Sequence, residues 1–324
     1  MSSNIFTLKD ACNFLMDNDN FTLLTHAQPD GDTIGSAYAL AYALKQKGKR
    51  VRVLCGDHIP SKFKYIMNSL KHDEIENDTV VALDVADSKL LGALEEEYQS
   101  IVDLCIDHHV SNREYAKNLL LDADASATCE VVYEIVKELG VEWNKHILDG
   151  IYTGIITDTG CFKYSNCTAK THKIAAELIE LGVDYAEINR VMFDTKSRPR
   201  IKIEAAVMDN MEFMFGGRVA IIAVTKDMIK EAGCTTSDLD GINTLSRMIE
   251  GVMVGVTLRE KDGGKYKVSL RTNAPIDATK ICAEFGGGGH PRAAGCELEC
   301  SLKEAIDRII PVVKSALEEN GCLI

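Results

Sequence analysis

The chain has 324 residues, which is enough for two domains of ordinary size. Hydrophobic residues make up 46% and charged residues 26%, the composition of a soluble globular protein, and no apolar run is long enough to predict a membrane span. The net charge of −13 argues against a protein that grips long duplex nucleic acid, because such proteins present a basic surface. A small anionic ligand, bound by local positive charge, remains compatible with these numbers.

The eleven cysteines are odd in number, scattered along the chain and without a C-x-x-C pair. This pattern predicts reduced thiols rather than a disulfide framework. The first twenty residues lack the basic and apolar regions of a secretion signal. Together these features predict a cytoplasmic protein with no membrane partner.

The first half of the chain alternates short apolar runs with amphipathic stretches. The apolar runs predict strands at 21–25, 51–54, 79–83, 101–106 and 154–157. The amphipathic stretches predict helices over 35–46, 88–97, 129–139 and 169–181. Such alternation is typical of an α/β domain with a mostly parallel sheet flanked by helices.

The pattern changes in the second half. The segment 186–205 is polar and basic, which predicts a linker or connecting helix. Two hairpins follow, 211–215 with 218–224 and 253–259 with 265–271, each across a glycine-containing turn. A final amphipathic stretch predicts a helix over 302–318. We therefore assign 1–188 to the first domain, 189–206 to the linker and 207–324 to a smaller α/β domain.

Acidic and histidine residues follow four of the predicted strands. In chain order they are His26, Asp30 and Asp32, then Asp84, then Asp107, His108 and His109, and finally Asp158. Ligands of open α/β sheets bind beyond the carboxyl ends of the strands. Six or more nitrogen and oxygen ligands exceed the needs of one cation. They favour two Mn²⁺ or similar ions about 3.5–4 Å apart, which would activate water for attack on phosphorus.

Each of these groups taken alone has a plainer explanation. Asp30-Gly31-Asp32 is typical of a turn whose aspartate caps the next helix, and Asp158 before Thr-Gly also resembles a turn. The plain explanation requires four coincidences, each at a strand end. We therefore prefer the metal site.

A glycine cluster near the C-terminus is the second signal, in EFGGGGHPRAAG. Four successive glycines let backbone N–H groups approach a ligand closely. His290 and Arg292 follow them, and Arg271 and Asn273 end the strand before them. These side chains are suited to binding a phosphate. A flexible surface loop is the alternative interpretation.

The motifs H-x-x-x-D-x-D, a strand-end aspartate, D-H-H, a later aspartate and G-G-G-H occur in this order. The set resembles the DHH/DHHA1 phosphoesterases, and within them the stand-alone nanoRNase/pAp-phosphatase group related to RecJ. The resemblance extends over nearly the whole chain. One departure is that four glycines, rather than three, precede His290.

The resemblance implies roles for these residues. One Mn²⁺ would bind His26, Asp30 and Asp84, and the second would bind Asp32, Asp84, His108 and Asp158, with Mg²⁺ or Co²⁺ as substitutes. Asp107 would orient a histidine and His109 would lie near the scissile phosphate. The C-terminal domain would close over a cleft and bind substrate through Arg271, Asn273, Gly287, Gly288, Gly289, His290 and Arg292.

The implied activity is hydrolysis of short oligoribonucleotides to mononucleotides, together with removal of the 3′-phosphate from 3′-phosphoadenosine 5′-phosphate. Hydrolysis of linear or cyclic dinucleotide signals is an enzymatic alternative. A nucleotide-binding regulator is the non-enzymatic one, but it predicts a lost ligand or glycine segment, and neither is lost. The oligomeric state stays open, with a homodimer among the alternatives.

Overall fold

A computed structural model describes residues 3–76 and 78–323. Its internal contacts divide the chain into two compact units, Met1–Thr195 and Lys196–Ile324, here called the N-terminal and C-terminal units. The division falls within the segment 189–206 that we assigned to the linker. In that segment a π-helix, Arg190–Asp194, precedes an α-helix that begins at Arg198. Among the described residues, no helix has the length and hydropathy needed to cross a membrane.

The N-terminal unit contains six strands and eight α-helices in its described part. In chain order they are β1 (Asn4–Ile5), α1 (Leu8–Asp17), β2 (Phe21–Thr25), α2 (Gly31–Gln46), β3 (Val51–Cys55), α3 (Lys64–Met67), β4 (Thr79–Leu83), α4 (Glu95–Tyr98), β5 (Leu104–Asp107), β6 (Asn118–Leu121), α5 (Thr128–Leu139), α6 (Lys145–Asp158), α7 (Ala169–Glu180) and α8 (Tyr185–Asn189). Two 3₁₀ helices, Ser61–Phe63 and Ser88–Leu94, precede α3 and α4.

The six strands form one parallel sheet in the order β1-β6-β5-β4-β2-β3. This confirms the predicted α/β class. The strands predicted at 21–25 and 79–83 have the predicted bounds, and the one at 51–54 extends by one residue. β5 begins later than predicted, because Ile101 is largely exposed rather than part of the buried run. The predicted helix at 88–97 is instead the 3₁₀ helix Ser88–Leu94, which is kinked at Gly92 where φ is positive, followed by the short helix α4.

The strand predicted at 154–157 was wrong, because these residues form the last turn of α6. Asn144 caps this helix by accepting hydrogen bonds from the backbone N–H groups of His146 and Ile147. Nearly every residue from Ile147 to Ile156 is buried, so the helix lacks the polar face that would have revealed its period. A short apolar run cannot distinguish a buried strand from a buried helix.

Glycines allow α6 to pack closely against α2. A Cβ atom placed on Gly35 would lie 2.2 Å from the carbonyl oxygen of Gly150. One placed on Gly154 would lie 2.1 Å from Cys129 Sγ and 2.7 Å from Asp32 Oδ1. The close approach of the two helices brings the C-terminal end of α6, and with it Asp158, toward Asp32.

The C-terminal unit contains α9 (Arg198–Asp209), β7 (Glu212–Met214), β8 (Val219–Val224), α10 (Lys226–Ala232), β9 (Val254–Lys261), β10 (Lys265–Thr272), α11 (Ala278–Ala283), β11 (Gly288–His290), β12 (Ala293–Glu299) and α12 (Leu302–Glu319). Its strands form a second sheet, β11-β12-β10-β9-β8-β7, which is antiparallel apart from the pair β8–β9. Both predicted hairpins and the terminal helix are confirmed. The helix α12 accommodates Pro311 and packs the buried residues Ala305, Ile309, Val313 and Leu317 against the sheet.

Candidate metal centre

The central strands of the parallel sheet bring the candidate ligands to one edge. β2, β4 and β5 are neighbours, in the order β5-β4-β2, so their carboxyl ends meet. His26 follows β2, Asp84 follows β4 and Asp107 is the last residue of β5. Asp158 does not follow a strand; it is the last residue of helix α6.

His26, Asp30 and Asp84 form one group of potential metal ligands. The Nε2 atom of His26 lies 3.6 Å from Asp30 Oδ1 and 3.5 Å from Asp84 Oδ2. The Nδ1 atom of the same ring lies 2.8 Å from the carbonyl oxygen of Ala27. Because a carbonyl oxygen only accepts, Nδ1 donates to it, and Nε2 is the ring nitrogen that faces the two carboxylates and could bind a cation once deprotonated.

Asp32, His108 and Asp158 form a second group. His108 Nε2 lies 3.3 Å from Asp158 Oδ2, 3.7 Å from Asp84 Oδ1 and 3.9 Å from Asp32 Oδ2. Its Nδ1 atom lies 3.1 Å from the carbonyl oxygen of Ala125, which fixes the same tautomer as in His26. Asp84 thus contributes one carboxylate oxygen to the surroundings of each histidine.

The spacing of these atoms fits bound cations. Ligand atoms that share a metal at bond lengths of about 2.1 Å lie roughly 3.0–3.5 Å apart. The nitrogen–oxygen distances around His26 and His108 are close to that range and are longer than ordinary hydrogen bonds. His108 Nε2 is also buried without a hydrogen-bond partner. A buried imidazole nitrogen that faces carboxylates without bonding to them is the arrangement that a metal ion completes.

The charge of the cluster leads to the same conclusion. Burial opposes protonation of His26 and His108, yet the neighbouring carboxylates outweigh it and raise the pKa of His26 to about 11 and of His108 to about 10. Burial, followed by repulsion from Asp84 and Asp158, raises the pKa of Asp32 well above its usual value. The two groups together hold four carboxylates beside two imidazoles. Two divalent cations would balance the four negative charges and release the protons from the histidines.

Asp84 occupies the centre of the cluster and is only 3% exposed. Its backbone is in the left-handed region, with φ of +61°, and its N–H donates to the carbonyl oxygen of Ile106. Aspartate tolerates this conformation better than most residues. Thr128 Oγ1 donates to Asp84 Oδ1 at 2.9 Å. These contacts hold the carboxylate where both histidines reach it.

Asp30 and Asp32 also cap helices. Asp30 Oδ1 accepts the backbone N–H groups of Asp32 and Thr33 at the start of α2. The Asp32 carboxylate accepts the N–H groups of Thr128 and Cys129 at the start of α5, at 2.6 and 2.8 Å. The capping explanation considered for Asp30 therefore holds alongside the clustering. Capping fixes the orientation of both carboxylates.

Asp107 belongs to a separate hydrogen-bond network. Its Oδ1 atom accepts from His109 Nδ1 at 2.8 Å and from the backbone N–H of His108, while Oδ2 accepts from Asn112 Nδ2 at 2.7 Å. Burial opposes ionisation of Asp107, but these hydrogen bonds outweigh it and lower its pKa. The hydrogen bond to Asp107 raises the pKa of His109. His109 Nδ1 also lies 3.5 Å from Asp84 Oδ1, which places this ring beside the cluster.

The residues predicted to bind substrate lie in the C-terminal unit. A surface depression of about 650 Å³ is lined by Arg271 and Gly288, and also by Asn243, Lys267, Ser269, Phe285, Gly286, Ala294, Gly295, Cys296 and Glu297. Lys267, Ser269 and Arg271 alternate along β10, so their side chains share one face of the sheet. The depression therefore combines two basic side chains with a glycine-lined wall.

Other predicted residues have structural roles in this unit. A Cβ atom on Gly287 would lie 2.2 Å from the carbonyl oxygen of Gly295, and Gly289 has a φ of +145°. Both glycines allow β11 to pack against β12. Asn273 Nδ2 donates to the carbonyl oxygen of Val252, and Arg292 donates to that of Ile276. His290 is exposed at the end of β11. The glycine cluster is thus a tight turn and an edge strand rather than an irregular loop.

Three residues of these sites were not predicted from the sequence. Thr128 lies just before the helix predicted over 129–139, and it follows a strand, β6, that was not predicted and that ends at the same sheet edge. Asn112 lies five residues after Asp107, a spacing that carries no recognisable signal. Lys267 is part of a predicted hairpin, and only its two-residue spacing from Ser269 and Arg271 could have placed it on their face.

Comparisons with known proteins agree with this architecture. The N-terminal domain model of the DHH family matches residues 20–155, and the DHHA1 domain model matches residues 216–319. The chain is 34% identical to the bifunctional oligoribonuclease and PAP phosphatase NrnA of Thermus thermophilus, over 93% of this chain and 91% of the relative. It is 29% identical to the protein of the same name from Bacillus subtilis, over 93% and 96%.

Solved structures show the same fold. A crystal structure of an exopolyphosphatase-related protein from Bacteroides fragilis matches with a TM-score of 0.84 and 26% identity, covering 96% of both chains. RecJ from Thermus thermophilus, crystallised with Mn²⁺, matches with a TM-score of 0.51 and 14% identity over 96% of this chain and 55% of RecJ. The order of the domains, their strands and the similarity over nearly the whole length show that this chain belongs to the DHH family, with a DHHA1 domain following its DHH domain.

Proposed function

We propose that this protein is a two-metal phosphoesterase that hydrolyses short oligoribonucleotides to mononucleotides and removes the 3′-phosphate from 3′-phosphoadenosine 5′-phosphate. The observation that carries the proposal is the position of Asp84 between two groups of ligands, with its Oδ2 facing His26 and its Oδ1 facing His108. A carboxylate shared in this way suits a pair of cations. The substrates are those in the names of the relatives that cover most of the chain.

Six residues would hold the cations: His26, Asp30 and Asp84 the first, and Asp32, Asp84, His108 and Asp158 the second. Two Mn²⁺ ions, with Mg²⁺ or Co²⁺ as substitutes, would supply a water of lowered pKa and neutralise charge on the phosphate. The mixed imidazole and carboxylate donors favour Mn²⁺ over Ca²⁺. Capping by the α2 and α5 backbones holds Asp30 and Asp32 in place for this role.

His109 would interact with the substrate directly. Its Nδ1 is engaged by Asp107, so Nε2 of the partly exposed ring remains for a phosphate oxygen or the leaving group. Asp107 keeps the ring oriented and favours its protonated form, which can donate a hydrogen bond or a proton as negative charge develops. Asp107 is a positioning residue, because hydrogen bonds already occupy both its oxygens. Oδ1 accepts from the backbone N–H of His108 and from His109 Nδ1, and Oδ2 accepts from Asn112.

The distribution of charge supports a short substrate. The N-terminal unit has 18 lysines and arginines against 31 aspartates and glutamates, which accounts for the whole net charge of −13, whereas the C-terminal unit has 18 of each. Neither unit has the basic excess that a long polyanion requires. The depression beside Arg271 and Lys267 has the volume of a site for one small ligand. We therefore assign metal chemistry to residues 1–188 and binding of a terminal phosphate to residues 207–324, with Arg271, Gly287–Gly289 and His290 as the contacts.

The test is a comparison of substrates. Purified protein with Mn²⁺ is incubated with an RNA dinucleotide, a 20-mer RNA, 3′-phosphoadenosine 5′-phosphate and linear diadenylate, each with an EDTA control. We expect EDTA-sensitive loss of the short substrates while the 20-mer remains nearly intact. Equal rates on the dinucleotide and the 20-mer would contradict the short-substrate assignment. Absence of turnover with every metal would favour a nucleotide-binding regulator, and preference for diadenylate would favour the hydrolysis of dinucleotide signals.

A further inference from the structure

The segment that follows Asp158 has an unusual backbone. Gly160, Cys161 and Phe162 have φ values of +56°, +58° and +62°, so three successive residues are left-handed. Two of them carry side chains, and an aromatic residue in this region is a genuine outlier. Such conformations persist only where the surroundings enforce them, and they concentrate at functional sites.

Several hydrogen bonds enforce this turn. Thr159 is buried, and its hydroxyl donates to the carbonyl oxygen of Ile155, while the Thr159 hydroxyl oxygen accepts the N–H of Phe162 at 3.1 Å. The carbonyl oxygen of Thr159 accepts the N–H groups of Lys163 and Tyr164, both at 2.9 Å. The turn is therefore anchored to the last turn of α6, which also carries Asp158.

Asn166 anchors the C-terminal end of this segment to the residues around Asp158. Its Nδ2 atom donates to the carbonyl oxygens of Asp158 and Ser126, at 3.2 and 3.1 Å. The ring of Phe162 packs against His172, with centroids 5.1 Å apart. The segment 159–166 is thus a rigid extension of the metal centre rather than a free loop.

The strained turn places Tyr164 over Gly160. A Cβ atom on Gly160 would lie 2.4–2.6 Å from three atoms of the Tyr164 ring, so the ring rests directly on the glycine backbone, two residues from Asp158. Tyr164 nevertheless remains 56% exposed. Among the described contacts, its side chain makes no hydrogen bond. A fixed aromatic ring, supported from one side and open to solvent, is suited to stacking against a planar ligand.

We propose that Tyr164 is a binding residue whose ring stacks against a nucleobase next to the scissile phosphate. The proposal rests on the proposed phosphoesterase function, because it assumes that a nucleotide phosphate binds at the metal cluster. Stacking on an aromatic ring is tolerant of base identity, since every base has a π face. It would let an acidic unit hold a short nucleotide without adding positive charge. Tyr164 would act on binding and not on the chemical step.

The experiment uses 5′-phosphorylated diadenylate and two analogues that carry an abasic tetrahydrofuran residue at one or the other position. Wild type, Y164A and Y164F are compared, with Y185A as a matched control. Tyr185 is similarly exposed, at 45%, but lies on α8. We expect Y164A to raise KM for diadenylate about tenfold, with kcat within twofold of wild type. Y164F and Y185A should stay within twofold in both constants.

The abasic analogues separate stacking from a structural effect. For one of the two analogues, wild type and Y164A should have equal KM, because the partner of the ring is already gone. An equal rise of KM for all three substrates, or no rise for any, would overturn the stacking role. A fall in kcat with loss of bound metal would do the same, since it would show that Tyr164 acts through Asp158. If wild type fails to hydrolyse diadenylate at all, the proposed function itself is overturned, and the stacking role with it.

Discussion

The two units differ in their net charge and in the sign of the charged side chains that they cluster. The N-terminal unit concentrates carboxylates at one edge of its sheet and buries Asp32, Asp84 and Asp107, although its net charge is strongly negative. The C-terminal unit is neutral and presents Lys267 and Arg271 at its surface depression. Burial of like charges is unfavourable unless something compensates them. The contrast supports the proposal that one unit binds cations and the other binds an anion.

Removal of the shared carboxylate should have the largest effect. We expect D84N to lose both cations and to reduce turnover about 10³-fold or more, because the metal ions lower the free energy of the charged transition state by several kcal/mol. The fold should persist, since asparagine can still accept from Thr128. Metal content and turnover are measured together with circular dichroism. The matched control is D87N, which alters an aspartate that caps the nearby 3₁₀ helix and should retain activity. Full activity in D84N would contradict the bridging role.

His109 provides the next largest effect. H109A should lower kcat about 10²-fold or more while both cations remain bound, because the ring is proposed to assist charge or proton transfer. D107N should have a smaller effect of the same kind, about tenfold or more, since it disturbs the orientation of His109. Steady-state kinetics and metal analysis on the same samples distinguish this from loss of ligands. Loss of metal in H109A would instead make His109 a ligand.

Metal affinity should depend on pH. In the metal-free protein the pKa values of His26 and His108 are raised to about 11 and about 10, so both rings carry a proton at neutral pH. A cation must displace that proton from Nε2, so affinity should increase as pH rises, about tenfold per pH unit for each cation below pH 9. Calorimetric titration in buffers of different ionisation enthalpy measures the protons released. Affinity that does not change between pH 6.5 and 8 would show that the histidines are not ligands.

The C-terminal unit should give the smallest of these effects. R271A should raise KM about tenfold for substrates with a terminal phosphate, since a hydrogen bond to a charged group is worth ~1.5 kcal/mol or more. A dinucleotide without that phosphate should be nearly unaffected. K265A is the control, because Lys265 lies on the same strand but pairs with Glu299 outside the depression. An equal effect of R271A on both substrates would contradict the assignment.

The sequence was most informative where potential metal ligands directly follow a predicted strand. His26, Asp84 and Asp107 could be grouped because the carboxyl ends of parallel strands share an edge. Asp158 was included for the wrong reason, since a helix carries it there. Helix α6 is buried on all sides, so its sequence has no polar period to reveal it.

Contacts between distant segments were harder to predict. The hydrogen bonds from Thr128 to Asp84 and from the α5 backbone to Asp32 join residues 44 to 97 positions apart. They depend on how β6 and α5 pack, which local sequence does not specify. In the C-terminal unit the glycine cluster was recognised, but Arg292 and Asn273 bind backbone carbonyls instead of being reserved for a ligand. Residue type alone could not distinguish side chains that bond to the backbone from side chains that bind a ligand.

The most direct test of the two-cation claim is electron paramagnetic resonance of the protein loaded with Mn²⁺, combined with elemental analysis of the same sample. We expect two Mn²⁺ per chain and the spectrum of an exchange-coupled pair, because Asp84 would contact both ions. In D84N the coupled signal should disappear. One Mn²⁺ per chain with the six-line spectrum of an isolated ion, in the wild-type protein at saturating metal, would contradict it.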